Sequence, residues 1–264
     1  MTPSTPFDVV QIPVWTDNYA YLLCPRDGTA AVVDSPEAEP ILEVLSQGGL
    51  QLTHIFNTHH HFDHIGANQE LIAAFPDVVV CGGRYDAEHQ RIPGQTRILE
   101  DGETFEWGGD RCTVREVPAH TLGHIAYCWD SNRAFVGDTL FFGGCGRLFE
   151  GTAAMMDRAL YEVLGRLDNS TLLYCAHEYT EANLRFARTV DPHNAELLAL
   201  SEEVASLRAR GKPTVPSRLE QEWAINPFLR CDSPTIRQAL NCDTSSPRHE
   251  VLGALRTLKD GFRG

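Results

Sequence analysis

Residues 58–64 read THHHFDH, which places four of the chain's 11 histidines and an aspartate within seven positions. In an extended segment, side chains two apart share a face. His59 and His61 can then meet one ion, while His60 points away from it. Asp63 and His64 follow at the expected start of a helix and can serve a second ion nearby. The pattern HxHxDH is far more specific than a lone HxH. A polar cluster satisfied without metal is the competing explanation, and the weaker one.

Three further candidates stand where strand-like runs end. His120 follows REVP, Asp138 closes RAFVGD and His177 closes TLLYCAH. Donors set in loops along one sheet edge can converge while the scaffold stays rigid. Pooled, the five histidines and two aspartates divide in two. His59, His61 and His120 serve one metal, Asp63, His64 and His177 serve the other, and Asp138 bridges. Room remains for a shared water, as catalytic sites require. Imidazole and carboxylate donors suit zinc, and also tolerate iron or manganese. His120 or His177 alone would read as an ordinary structural histidine; the conjunction with HxHxDH changes that. His54, His89, His193 and His249 show no partner pattern, and His124 reads as a support behind the ligands or as packing. Cys175 shares a face with His177, but no cysteine is needed as a ligand.

The first two thirds of the chain read as short strands: DVVQIPVW, NYAYLLC, AAVVD, HIFNTH, VVVCG, RCTVREVP, HIAYCWD, RAFVGD and TLLYCAH. Apolar runs rich in β-branched residues suit sheets covered on both faces. Helices are expected over about 66–74 and 153–167, giving α/β layering. From about Thr180 the pattern turns helical. Leu197, Leu200, Val204 and Leu207 repeat at helical spacing, and Gly211 with Pro213 marks a stop. Ser217-x-x-Glu220 is a capping-box pattern. Ser233-Pro234 and Ser246-Pro247 each suggest an N-cap serine before a first-turn proline. A boundary near 176–182 divides the chain into a domain at 1–179 and a helical domain at 180–264.

A net charge of −14 argues against a nucleic-acid partner, which calls for a basic footprint. The charge is uneven. Residues 1–180 hold 10 Lys/Arg against 25 Asp/Glu, and residues 181–264 hold 12 against 11. The eight cysteines form no CxxC pair, and several sit in apolar runs, which suits buried free thiols in a reducing compartment. The N-terminus shows no signal-peptide pattern and no apolar run approaches membrane length, so a cytoplasmic location is expected.

HxHxDH followed by a later His, Asp and His resembles the metallo-β-lactamase superfamily, and the likeness covers most of residues 7–180. It implies an αββα sandwich with the metals at one edge of the two sheets. GGCGRLFEGT, AHEYT, NPFLR and LRTLKD together look like the glyoxalase II (hydroxyacylglutathione hydrolase) family, nearly end to end and including a C-terminal all-helical domain. That resemblance implies hydrolysis of S-D-lactoylglutathione to glutathione and D-lactate, the second step of methylglyoxal detoxification, by a monomer. It implies that the seven donors occupy the family's metal positions. It also implies that glutathione is held by Arg147 with Phe149, by His177 and Tyr179 in HEYT, and by Arg256 and Lys259. Some family members carry Lys and Tyr where this chain has Arg147 and Phe149, so any contact from Phe149 must come from ring or backbone.

In the last helix, Val251, Leu255, Leu258 and Phe262 form an apolar stripe, with Arg256, Lys259 and Arg263 one residue further round. An acidic protein needs such a local basic patch to hold an anionic conjugate. The expected chemistry is attack on the thioester carbonyl by a hydroxide bridging two ions, tuned by Asp63 and Asp138. Three alternatives stand beside it. One is a mononuclear-iron persulfide dioxygenase of the same fold, which would not be expected to keep the helical domain. The others are a lactonase or β-lactamase, and a non-catalytic metal-binding or RNA-processing relative.

Overall fold

Alternating aromatic and aliphatic residues in the first strands set two faces that need two different partners. In the computed structural model, which describes residues 5–263, the chain falls into two compact units. One runs to Glu116 and includes Gly123–Gly137. The other comprises Val117–Leu122 and the residues from Asp138 on.

In the first unit, β1 (Phe7–Val14), β2 (Asn18–Pro25) and β3 (Thr29–Val33) form an antiparallel meander. The crossover helix α1 (Ala38–Gly48) leads to β4 (Gln51–Phe56), which pairs parallel with β3. Two short helices, α2 (Phe62–Ile65) and α3 (Asn68–Ala74), lead on to β5 (Val79–Gly83), and α4 (Arg84–Glu88) leads to β6 (Arg97–Leu99), both strands again parallel. Such crossovers are what parallel pairing requires. β7 (Thr104–Trp107), β8 (Asp110–Glu116), β9 (Ile125–Trp129) and β10 (Arg133–Gly137) build an antiparallel second sheet.

One face of the first sheet packs Leu22, Val32 and Ile55 with Ile41 and Leu45 of α1 and Leu71 of α3. The opposite face meets the second sheet through aromatic rings. Phe7 lies 5.1 Å from Trp129, and Phe56 lies 5.2 Å from Tyr127. The first pair is edge-on and the second tilted, and aromatic pairs of this kind add about 0.5–1.5 kcal/mol beyond area burial. A register shift between Ala30 and Ala31 passes over Thr53, so Leu52 and Ile55 both serve the helix side while Phe56 faces the rings. Without that bulge a one-residue slip would turn Phe56 into the aliphatic layer. β4 therefore delivers residues 57–64 at the carboxyl end of a buried parallel strand, where open α/β sheets place ligands.

The second unit holds the hairpin β11 (Leu140–Phe141) and β12 (Gly144–Cys145), and a strand pair completed later in the chain. α5 (Ala153–Asp157) continues through a π turn at 158–163 and a 3-10 turn at 164–166, so the helix expected over 153–167 is present but not uniform. β13 (Leu172–Cys175) follows, then α6 (Thr180–Val190) and α7 (Ala195–Ala209). β14 (Ser217–Arg218) pairs with β13 and leads into α8 (Leu219–Ile225), α9 (Pro234–Ala239) and α10 (Arg248–Gly261). No helix among the described residues is long and apolar enough to cross a membrane.

The structure corrects three local readings. The capping box lies one residue beyond Ser217, where the Arg218 amide donates to Gln221 Oε1 at 2.9 Å. Ser217 is buried, and its side chain bonds Glu222 instead. At α10, Pro247 is itself the cap rather than the first helical residue. The buried face of α10 is Val251, Leu252, Leu255 and Arg256, while Leu258 is exposed, so the helix sits rotated from the expected stripe. Arg256 can be buried because both terminal nitrogens of its guanidinium find partners, although its Nε has none among the described residues. It donates to the Cys145 carbonyl at 2.6 Å, pairs with Asp260 at 3.0 Å and lies over the Phe228 ring.

The β11–β12 hairpin is clamped from α8. Asn226 Nδ2 donates to the carbonyls of Phe141 and Gly144, and the Gly143 amide donates to Glu222 Oε2 at 3.0 Å. Burial is the main cause that pushes the Glu222 carboxyl up to about 7. The folded state thus favours the protonated acid. That contribution is complete below the unfolded value and is lost as pH rises through about 7, at a cost on the order of 3 kcal/mol. Glu222→Gln is expected to raise the urea midpoint at pH 8 and to show a much smaller gain at pH 5. An equal shift at both pH values would rule the ionisation out.

Candidate metal centre

The first unit fixes the direction of each imidazole through one carboxylate. Asp34 ends β3 in the left-handed region, with φ of 54, which aspartate tolerates better than most residues. Its oxygens accept from the Thr58 amide, the Thr58 hydroxyl and His64 Nδ1, each at 2.8 Å. A carboxylate only accepts, so the proton of His64 sits on Nδ1 and Nε2 carries the lone pair. The Thr58 hydroxyl, its hydrogen committed to Asp34, accepts from His59 Nδ1 at 3.1 Å and gives His59 the same polarity. His59 Nε2 lies 3.0 Å from His61 Nδ1, close enough for both to bind one ion.

His61 caps α2, whose first turn carries Asp63, with Oδ1 3.9 Å from His64 Nε2. The His59 ring stacks on His124 with centroids 4.6 Å apart, which gives His124 a packing role beside a donor. His60 turns aside, as its spacing indicated, and its Nδ1 lies 3.3 Å from Asp86. Gly137, with φ of 48, closes the pocket behind these rings. A Cβ there would stand 2.5 Å from the Thr58 hydroxyl and 2.8 Å from the His124 ring.

In the second unit His120 Nδ1 lies 2.9 Å from the Arg147 carbonyl, which likewise puts the ring proton on Nδ1. Its Nε2 is 3.4 Å from Asp138 Oδ2, and His177 Nε2 is 3.4 Å from Asp138 Oδ1. One buried carboxylate thus presents each oxygen to an imidazole nitrogen. A direct charge-assisted hydrogen bond would close to about 2.7–2.9 Å. At His120 a lone pair and a carboxylate oxygen repel unless a cation lies between them. Donor atoms about 2.0–2.1 Å from a tetrahedral ion stand about 3.3–3.4 Å apart, which is the spacing found. Gly146 passes so close to the Asp138 carbonyl and His120 that no side chain fits there. Each of His59, His61, Asp63, His64, His120, Asp138 and His177 belongs to a set of His and Asp donors able to hold a metal ion. The donor chemistry therefore fits a divalent metal.

The other candidates surround the second group. Arg147 is exposed, with Nε 3.6 Å from Asp260, while its carbonyl orients His120. The exposed Phe149 ring lies 5.2 Å from His120. Tyr179 lies flat on His177, with centroids 4.6 Å apart and planes within 4°. Lys259 Nζ donates to the Ala182 carbonyl at 2.9 Å between the Phe186 and Phe262 rings. Burial, then the charges of Arg256 and Arg185, hold its ammonium down at about 8. All eight thiols are free. Burial pushes Cys175 up to about 12, its Sγ donates to the His177 carbonyl, and it belongs to none of the donor sets found among the described residues. Sequence reasoning missed Asp34, although a lone acid closing the apolar run AAVVD was the available signal.

Comparison with known proteins adds an independent observation. Residues 13–177 match the family described as metallo-beta-lactamase superfamily, and residues 178–262 match hydroxyacylglutathione hydrolase C-terminus. The chain is 48% identical over 256 residues to hydroxyacylglutathione hydrolase of Synechococcus sp. (strain JA-3-3Ab), covering 96% of this chain and 99% of that protein. The fold is shared with the crystal structure of ETHE1 from Myxococcus xanthus, at 22% identity and a TM-score of 0.65, covering 96% of this chain and 97% of that one. TTHA1623 in a di-iron-bound form is 27% identical with a TM-score of 0.54, covering 64% of this chain and 91% of that one.

Because Asp34 sets the polarity of His64 and, through Thr58, of His59, Asp34→Asn is expected to weaken metal affinity by about 10–100-fold, the usual effect of losing such a support. Competition with a chromophoric chelator measures it. Unchanged affinity would mean that the rings are oriented by packing alone.

Proposed function

This chain belongs to the hydroxyacylglutathione hydrolase family of the metallo-beta-lactamase superfamily, and on that footing we propose that it hydrolyses S-2-hydroxyacylglutathiones, S-D-lactoylglutathione among them, to glutathione and the free hydroxy acid. The observation that carries the reading is Asp138, with His120 and His177 each 3.4 Å from one of its two oxygens. In this reading His59, His61 and His120 would hold one divalent ion and Asp63, His64 and His177 the other, with Asp138 as a further ligand. The ions are zinc, in a monomeric cytoplasmic enzyme. The reported di-iron form of TTHA1623 supports a two-metal arrangement in a related chain.

Metal ions in such a site lower the pKa of a bound water from 15.7 to about 7 and polarise the carbonyl under attack. The protein's part is to keep the donors deprotonated and aimed. Asp34 and the Arg147 carbonyl do this by occupying Nδ1 of His64 and His120. Asp63 and Asp138 bring negative charge that balances the cations. The leaving group is a glutathione thiolate. With a thiol pKa near 8.5 it departs without a proton, so no acid has to be poised over the sulfur.

We assign residues 1–179 to catalysis and 180–264 to holding the glutathione part, with Arg147, Phe149, His177 and Tyr179 from the first segment and Arg256 and Lys259 from the second. Arg147 and Lys259 supply charge for carboxylates. Arg256, already bonded to the Cys145 carbonyl, supports the hairpin and leaves less of its fork for substrate. The match of residues 178–262 to the hydrolase C-terminus counts against the persulfide dioxygenase reading.

Purified protein of known metal content is expected to cleave S-D-lactoylglutathione and to lose the activity on chelation. A metal-stripped sample working at full rate would overturn the reading. Asp138→Asn should lower kcat by at least about 100-fold with a smaller change in KM. Lys259 is charged below about 8 and neutral above it. KM for the conjugate is therefore expected to climb as pH rises through 8, and Lys259→Met should flatten that climb.

A further inference from the structure

Among the described phenylalanine, tryptophan and tyrosine side chains only three are exposed: Trp15, Phe62 and Phe149. Phe149 belongs to the group assigned to glutathione. Trp15 and Phe62 form a separate feature. Their rings stack with centroids 5.9 Å apart and planes within 13°, although they are 49% and 71% exposed. Stacked rings left open to water keep an apolar face available.

The pair is held in place by the backbone. Trp15 lies in the loop between β1 and β2 with φ of 51, a left-handed conformation that bulky residues rarely adopt. Strain of this kind persists where the surroundings over-determine it, and it concentrates at ligand clamps. The tether is Asn18, which opens β2. Its Nδ2 donates to the Asp63 carbonyl at 3.2 Å and stands 3.5 Å from Asp63 Oδ2. The register pairs Val14 with Asn18, so the loop carrying Trp15 is short and fastened to the turn that carries Phe62. Phe62 in turn lies between His61 and Asp63, both assigned above as metal ligands.

We propose that Trp15 and Phe62 form a subsite for the acyl side chain of the substrate, favouring 2-hydroxyacyl groups with an aryl or bulky apolar substituent over the methyl of lactate. This rests on the thioesterase reading. The residues assigned to glutathione all lie between 147 and 259, whereas this pair flanks the ligand turn near the carbonyl under attack. The acyl substituent is the remaining part of the substrate. A methyl group is too small to cover two rings of this size, and an aryl group covers them by stacking.

The test compares S-D-mandeloylglutathione, with a phenyl group in place of the methyl, against S-D-lactoylglutathione. In Trp15→Ala and Phe62→Ala the mandeloyl-to-lactoyl ratio of kcat/KM is expected to fall about fivefold to tenfold, mainly through KM, and Phe62→Tyr is expected to keep the wild-type ratio. Metal content is measured on each variant. Should Phe62→Ala lose metal, Trp15→Ala, outside the ligand turn, decides the matter. A wild-type ratio in metal-replete Trp15→Ala overturns the subsite while leaving the hydrolase reading intact. Failure of the wild-type protein to cleave either thioester overturns the hydrolase reading, and the subsite with it.

Discussion

An imidazole can present a lone pair from Nε2 only if its proton is kept on Nδ1, and in a buried site a fixed acceptor has to keep it there. Three rings in this protein meet that condition by three different acceptors: a carboxylate for His64, a threonine hydroxyl for His59 and a backbone carbonyl for His120. The alternative tautomer would set an N–H against neighbouring donors and leave the acceptors behind unsatisfied. Because the three rings are buried, that error would not be relieved by water. The choice is thus made by folding, before any ligand arrives.

The rest of the fold supplies rigidity at these points. Asp34 and residues 57–64 lie at the ends of the adjacent parallel strands β3 and β4, and β4 packs aliphatic residues on one face and aromatic rings on the other. Gly137 and Gly146 remove side-chain bulk where backbone and imidazoles approach most closely. In the second unit, Glu222 and Asn226 hold the β11–β12 hairpin by bonding its backbone. The Cys145 carbonyl of that hairpin in turn receives Arg256. A cation that a helical wheel would place among solvated charges is instead part of the packing.

Much of this architecture was legible in the chain. All nine strands read from apolar runs are present, because buried strands carry their signal in every residue. The strands that escaped notice, such as β6 and β14, are three and two residues long, too short to show a period. The stripe on α10 was misplaced for a definite reason. Periodicity ranks side chains by polarity and so assigns Arg256 to water, whereas a guanidinium with a carbonyl, a carboxylate and a ring to meet can be buried.

HxHxDH by itself determined that this protein gathers imidazoles and a carboxylate at one strand end, because spacing along a chain dictates which neighbouring side chains share a face. The later His120, Asp138 and His177 could be named from their places at the ends of apolar runs. Spacing carried no information about which ring nitrogen is the donor, about Asp34 standing behind two of the rings, or about a tryptophan held in a left-handed turn against Phe62. Those features depend on hydrogen bonds and contacts between residues distant in sequence. Only the folded chain brings such groups within the few ångströms over which they act.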